Sequence, residues 1–330
     1  MRHDYIEREV LGSRRFKLTT FEKTVIRAVL RHRIVTPDGS HERRSVGFPQ
    51  GNSLSLFLAN AVGDRLDSHL DKANGNYVRY ADDSVVVNYS YEDSIDAIEA
   101  YSDFSKETGV QINRAKESGI SIVADRPGEM RTTTGVSFLG YYISKNRVHL
   151  SESAFSKLKR RCSRIIYHNL LMYPKKFGYI PARRFDRFGT DWDLLACIAE
   201  LRLMLYGERS QRTIERYLVG ASRLKHMSGN ISYYCLVDRV DAFAKLDGWL
   251  LWAIKRAIAE RYKIVLNIHP TIGLTAPTEQ ELLTGDWLRA HRRFDGRIPS
   301  FALAWRASRK AFYSYGHLGV DNGRDIYNGL

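Results

Sequence analysis

The chain has 330 residues, 44% hydrophobic and 27% charged, which is the balance of a folded globular protein and excludes a disordered one. No apolar run is long enough to span a bilayer, and the charged N-terminus MRHDYIEREV lacks the apolar core of a secretory signal, so a cytoplasmic, membrane-free protein is expected. Fifty-one Lys and Arg against 37 Asp and Glu leave +14, a charge suited to nucleic acid but equally to an anionic membrane surface or an acidic protein.

Residues 1–35 read as helical. Val25, Ile26, Val29 and Leu30 recur at helical spacing, and Pro37-Asp38-Gly39 is a turn that ends the segment. Gly47-Phe48-Pro49-Gln50-Gly51 forms a glycine-bounded loop. After it, Leu54, Phe57, Leu58, Ala61, Val62 and Leu66 predict an amphipathic helix with Ser53 as its N-cap. Asp64 and Asp67 fall on its polar side, where solvation is expected. Residues 77–80 and 84–89 read as two strands joined at Ala81-Asp82-Asp83. The next helix places Ile95, Ile98, Tyr101 and Phe104 on one face and closes at Gly109.

Short strands are expected at 110–113 and 119–123, and a further β-hairpin at 136–143 and 147–150 around Lys145-Asn146. From Ser151 the pattern turns to long helices rich in Arg and Leu, with one more strand at 263–268. Beyond about residue 265, Pro270, Gly273, Pro277, Gly285, Gly296 and Pro299 punctuate the chain without a readable architecture. The fold class is α+β, with an α/β part at 1–150, a helical part at 151–265 and a C-terminal extension at 266–330.

Basic clusters at Arg14-Arg15, Arg43-Arg44, 157–161, Arg183-Arg184 and Arg292-Arg293, with Tyr167, Tyr173, Phe177 and Tyr179 nearby, suit a nucleic-acid strand. Taken singly, each arginine is ordinary surface. Cys162, Cys197 and Cys235 include no Cys-x-x-Cys pair, which argues for buried thiols in a reducing compartment and against a zinc module.

Asp82 and Asp83 are adjacent carboxylates at a hairpin tip. Concentrated negative charge on a rigid support calls for a cation, and Mg²⁺ commonly takes one or two carboxylates together with substrate phosphates. An isolated Asp-Asp turn has a plainer explanation, because Asp favours turns by itself. The ordered series around the pair decides between the two readings. Gly47-Phe48-Pro49-Gln50-Gly51-Asn52-Ser53 followed by Leu58-Ala59-Asn60 resembles the Pro-Gln-Gly motif of reverse transcriptases, especially those of group II introns, retrons and bacterial antiviral defence systems. Tyr80-Ala81-Asp82-Asp83 resembles their Tyr-x-Asp-Asp hairpin, Val110-Gln111-Ile112-Asn113 with Lys116 the motif after it, and Phe138-Leu139-Gly140-Tyr141 their Phe-Leu-Gly hairpin.

The resemblance implies a polymerase palm, of which this chain holds a part, followed by a helical thumb. By it, Asp82 and Asp83 hold Mg²⁺, or Mn²⁺ in its place. Pro49, Gln50 and Gly51 lie beneath the incoming nucleotide and templating base, and Lys116 lies near the nucleotide's phosphates. Phe138, Leu139 and Gly140 grip the primer end. The implied partners are an RNA template, a DNA or RNA primer and a dNTP. Ile231, Tyr234, Phe243, Leu246-Asp247-Gly248-Trp249 and Arg256 resemble a maturase-type thumb, although a generic helical bundle with a core Trp describes them equally. The Val-Thr-Gly hallmark of retrons and a Cys-pair endonuclease module are both missing, which favours a stand-alone, defence-type or degenerate intron protein.

One departure matters. The family carries a third metal-binding aspartate on a strand ahead of the Pro-Gln-Gly loop, and His3-Asp4-Tyr5-Ile6 resembles the helix that follows that strand. The missing aspartate would then lie upstream of Met1, and Asp4, at a helix start, is a poor substitute. The expectations are therefore an RNA-directed DNA polymerase truncated before its first aspartate motif, a catalytically inactive maturase-like RNA-binding protein, or one subunit of a split polymerase working with a second.

Overall fold

The structure is a computed structural model that describes residues 1–49, 51, 53–72, 75–113, 119–126, 128–270, 274–291 and 293–320. Two compact units divide the chain, Met1–Thr134 and Gly135–Leu330.

In the first unit a helical turn, α1 (His3–Tyr5), runs on as a π-helix (Ile6–Leu11), with Gly12 N donating to Glu7 O at 2.9 Å. α2 (Thr20–Leu30) starts at a reciprocal capping box between Thr19 and Glu22, and buries Ile26 and Leu30. The expected single helical stretch over 1–35 is thus broken at residues 12–19. Its end is a strand, β1 (Arg33–Val35), paired antiparallel with β2 (His41–Arg43). The turn between them is the expected one: Asp38 Oδ1 accepts from Ser40 N at 3.3 Å and from Thr36 Oγ1.

α3 (Ser53–Leu70) has Ser53 as its first helical residue and buries Leu58, Ala61, Val62, Leu66 and Leu70. β3 (Asn76–Tyr80) and β4 (Asp83–Val87) form an antiparallel hairpin. α4 (Tyr91–Thr108) is capped by Ser90, whose hydroxyl accepts from Asp93 N at 3.0 Å, and ends at Gly109 in the left-handed region (φ 68°). The buried stripe of α4 is Ala97 with Ala100, Tyr101 and Phe104, and Ile98 is exposed, so the face is rotated from the one that the large side chains suggested. Small residues at 97 and 100 let the helix approach α3 and the hairpin closely.

Residues 110–113 form no strand. β5 (Ile122–Val123) pairs in parallel with β6 (Thr132–Thr133). Two apolar clusters hold the unit: one gathers Tyr5, Ile6, Val10, Leu11, Ile26, Leu30, Leu58 and Val62, and the other seats Tyr77 and Val86 of the hairpin on Leu66, Leu70 and Ala97.

The second unit opens with a three-stranded antiparallel sheet, β7 (Gly135–Phe138), β8 (Tyr141–Ser144) and β9 (Val148–Leu150). The expected stretch 136–143 is therefore two strands folded at Leu139-Gly140. α5 (Glu152–Ile166) continues through a π-helix (Tyr167–Met172) into α6 (Tyr173–Phe177). α7 (Trp192–Tyr206), α8 (Gln211–Leu218), α9 (Asp241–Ile268), α10 (Glu279–Thr284) and α11 (Phe301–Tyr315) follow.

One core takes Leu158, Cys162, Leu201, Leu205, Phe243, Leu250, Ile254, Phe301, Trp305 and Ala311 from α5, α7, α9 and α11. The segment after residue 265 thus contributes to the same core. Residues 263–268, expected as a strand, are the last turns of α9. Tyr262 and Val265, three apart, are both buried, and tertiary packing outweighs the local β-propensity. All three cysteines are buried, and burial pushes the thiols of Cys162 and Cys235 up to about 12 and about 11.

Candidate active site

Tyr80 pairs with Asp83, so the hairpin turns on two residues, Ala81 and Asp82. Ala81 sits at φ 54°, a left-handed conformation that a β-carbon makes costly by about 1–2 kcal/mol. Arg79 holds it there, with Nη1 donating to Ala81 O at 2.9 Å. The same guanidinium grips Asp67 of α3 through Nε at 2.7 Å and through Nη2, and reaches Asn60 Oδ1 at 3.3 Å. Tyr77 completes the anchor, its hydroxyl donating to Asp67 Oδ1 at 2.6 Å.

From the other side Tyr101 of α4 donates to Ser84 Oγ at 2.6 Å. Burial raises the Asp67 pKa, but hydrogen bonds from Arg79 and Tyr77 outweigh it, and the net direction is below the ordinary carboxylate value. A β-carbon at Gly63 would lie 2.7 Å from the Arg79 Cζ, so glycine at this helical position makes room for the guanidinium.

This anchor leaves the tip free. Asp82 and Asp83 are both exposed, and neither accepts a hydrogen bond or pairs with a cation among the described residues. Tyr80 and Asp83 share the outer face of the hairpin with Val78 and Val87, and the three apolar members are 52%, 56% and 47% exposed, respectively. Two carboxylates of unspent hydrogen-bonding capacity on a fixed turn fit the donor set that Mg²⁺ takes alongside phosphate oxygens. Among the described residues, no group of three or more His, Cys, Asp or Glu side chains gathers into a metal site.

The Pro-Gln-Gly loop leads into α3, the helix that carries Asp67. Gly47 (φ 75°) and Gly51 (φ 87°) both adopt the left-handed conformation. His3 Nε2 lies at hydrogen-bonding distance, 2.6 Å, from Gly47 O, and Gly47 N donates to Met1 O at 2.7 Å. Ser55 Oγ donates to Pro49 O, tying the loop to the first turn of α3. Gln50 and Lys116 lie outside the described residues.

Phe138, Leu139 and Gly140 belong to the second unit. Phe138 pairs with Tyr141, and the turn between them has Leu139 at φ 49° and Gly140 at φ 82°, both positive as a two-residue hairpin of this hand requires. Tyr233 Oη donates to Leu139 O at 2.9 Å, Ser151 N donates to Gly140 O at 3.0 Å, and Tyr141 Oη donates to Tyr233 O. Tyr141, Tyr233 and Tyr234 pack with centroids 5.1–5.9 Å apart. A β-carbon on Gly140 would come within 3.2 Å of the Tyr234 ring.

Sequence reasoning missed the anchor. Asp67, expected to be solvated, is instead held by Arg79 and Tyr77, and the only signal available was a pair of opposite charges twelve residues apart. Asp64 pairs with Arg15 at 2.8 Å.

Residues 4–143 match the family described as reverse transcriptase (RNA-dependent DNA polymerase). No curated protein matches the chain. Among the described residues, no helix is long and apolar enough to cross a membrane. With the Tyr-Ala-Asp-Asp hairpin and the loop that leads into α3 both inside the matched region, residues 4–143 are a reverse transcriptase family domain.

Proposed function

We propose that this chain supplies the Asp82–Asp83 carboxylates of an RNA-directed DNA polymerase, which adds a dNTP to a primer 3′-hydroxyl. The observation that carries the reading is the contrast within one hairpin. Arg79, Asp67, Tyr77 and Tyr101 are spent on holding it, while Asp82 and Asp83 have no hydrogen-bond or ion-pair partner among the described residues. In this reaction the 3′-oxygen attacks the α-phosphorus, the bond to the bridging oxygen breaks, and pyrophosphate leaves. Mg²⁺, or Mn²⁺, held by Asp82 and Asp83 would supply charge neutralisation on the triphosphate and activation of the hydroxyl.

Pro49, Gln50 and Gly51 would support the nucleotide and templating base, and Lys116 the phosphates. Leu139 and Gly140, with Phe138 behind them, would bear on the primer end through a turn that Tyr233 stiffens. The thumb role falls to residues 151–265. Primer extension on an RNA template with the purified chain, compared with Asp82→Asn, tests the reading. Incorporation that the substitution abolishes supports it, and incorporation that survives in Asp82→Asn refutes it.

One observation favours a second reading, a catalytically inactive maturase-like RNA-binding protein or one half of a split polymerase. Asp82 and Asp83 have no third acidic, His or Cys neighbour among the described residues. Salt-sensitive RNA binding without incorporation would select the binding protein. Incorporation that appears only when a second chain is added would select the split enzyme.

A further inference from the structure

A second cluster of chemistry lies in the second unit, where the loop before α7 meets the segment before α11. Phe188 and Phe294 are 61% and 42% exposed. Each carries an arginine on its face, Arg187 Cζ at 4.7 Å from the Phe188 centroid and Arg293 Cζ at 4.8 Å from that of Phe294. Between them stand His291 and Trp192, in tilted contact at 4.7 Å. Phe188 meets His291 edge-to-face at 6.2 Å, and Phe294 meets Trp192 edge-to-face at 6.2 Å. Two of the four rings in this row, Trp192 and Phe294, line a cleft of about 290 Å³ with Leu195, Ala196, Ala199, Arg202 and Asp295.

The row is built on a rigid frame. Asp186 Oδ1 accepts from Phe188 N at 2.8 Å and Thr190 N at 2.9 Å, and its other oxygen binds His291, which joins the two segments. Trp192 follows Asp191, which caps α7 and is clamped by the buried Arg261.

The charges of the patch sort cleanly. Asp186 is taken by His291, Asp193 by Arg184 and Arg261, and Asp295 by Arg297. Arg187 and Arg293 are exposed and have no carboxylate partner among the described residues. What remains for a ligand is therefore a run of mutually tilted rings, two of them exposed, with a rim of two arginines that have no carboxylate partner among the described residues. Unpaired bases stack on such rings, and the phosphates between them are drawn by the arginines. A double helix offers its phosphates but hides the faces of its bases.

We propose that Phe188, His291, Trp192 and Phe294, rimmed by Arg187 and Arg293, form a binding platform for single-stranded RNA in the second unit. The choice of RNA over DNA rests on the RNA-dependent polymerase reading, whereas the stacking itself does not. The test is fluorescence anisotropy with a labelled oligouridylate of about twelve nucleotides, in EDTA and without dNTP, so a silent palm leaves it readable. Phe188→Ala with Phe294→Ala should weaken binding by about ten-fold or more at roughly 0.1 M salt, and Phe188→Tyr with Phe294→Trp should restore it.

Melting curves show that each variant is folded, and Phe188→Ala alone, at the more exposed ring, keeps the test readable where Phe294→Ala lowers stability. Binding within about two-fold of the parent in the double alanine variant overturns the proposal. So does a loss seen only in Arg187→Ala with Arg293→Ala, which would make the site purely electrostatic. Tighter binding of a duplex of equal length also overturns it, and preference for the DNA oligomer overturns the assignment to RNA.

Discussion

Arg79→Met tests whether the hairpin tip is held from behind. The Arg79 side chain is 13% exposed and that of Asp67 30%. Methionine fills much of the arginine stem's volume but removes two bonds to Asp67, one to Ala81 O and one to Asn60. A hydrogen bond to a charged group contributes about 1.5–3 kcal/mol, and breaking a buried pair costs roughly 3–5 kcal/mol. Asp67 is partly open to water, so a local loss of about 2–3 kcal/mol is expected.

By the relation of ten-fold per 1.4 kcal/mol, amides in peptides spanning residues 76–87 should exchange roughly 30- to 150-fold faster, with the second unit unchanged. Ala81→Gly in the same background should recover up to about 1 kcal/mol, because glycine adopts the left-handed turn without strain, less its entropy cost. Hydrogen-exchange mass spectrometry on the parent, the single variants and the double variant measures all these terms. An acceleration below about three-fold, or a double variant that is merely additive, would refute the account of Arg79 as the brace of a strained turn.

Gly63→Ala should reproduce part of the Arg79→Met behaviour in the same exchange assay, since its β-carbon would sit 2.7 Å from the guanidinium carbon. Arg261→Met should lower the stability of the second unit by about 3–5 kcal/mol in urea unfolding, because Asp191 is wholly buried and would be left charged without its partner. A loss under about 1 kcal/mol would mean that Asp191 is satisfied by its helix-capping bonds alone. The depressed Asp67 pKa sets a pH dependence. Its contribution is present above the unfolded carboxylate value near about 4 and lost as pH falls through the lower folded value. The stability difference between the parent and Asp67→Asn should therefore be constant above about pH 5 and shrink in acid, and a difference that does not change with pH would contradict it.

What the sequence determined by itself was local. The turn at Ala81-Asp82, the stop at Gly109, the loop bounded by Gly47 and Gly51, and the buried stripe of α3 all follow from short-range patterns. Turn and cap residues act through their own φ values and nearest hydrogen bonds, and helical spacing survives in any surroundings. The ordered motifs around the two aspartates likewise identified a reverse transcriptase domain before any contact was known.

Only the tertiary structure decided which neighbours those elements meet. Residues 263–268 are helical because Val265 is buried beside Ile180 and Phe185. Ala97 and not Ile98 faces the core because α4 must approach the hairpin closely. Asp67 is an anchor and not a solvated surface charge because folding brings Arg79 and Tyr77 to it, and that leaves Asp82 and Asp83 as the carboxylates at the tip, without a partner among the described residues. Such partnerships join residues far apart along the chain, and their energies depend on burial and geometry that no local pattern encodes.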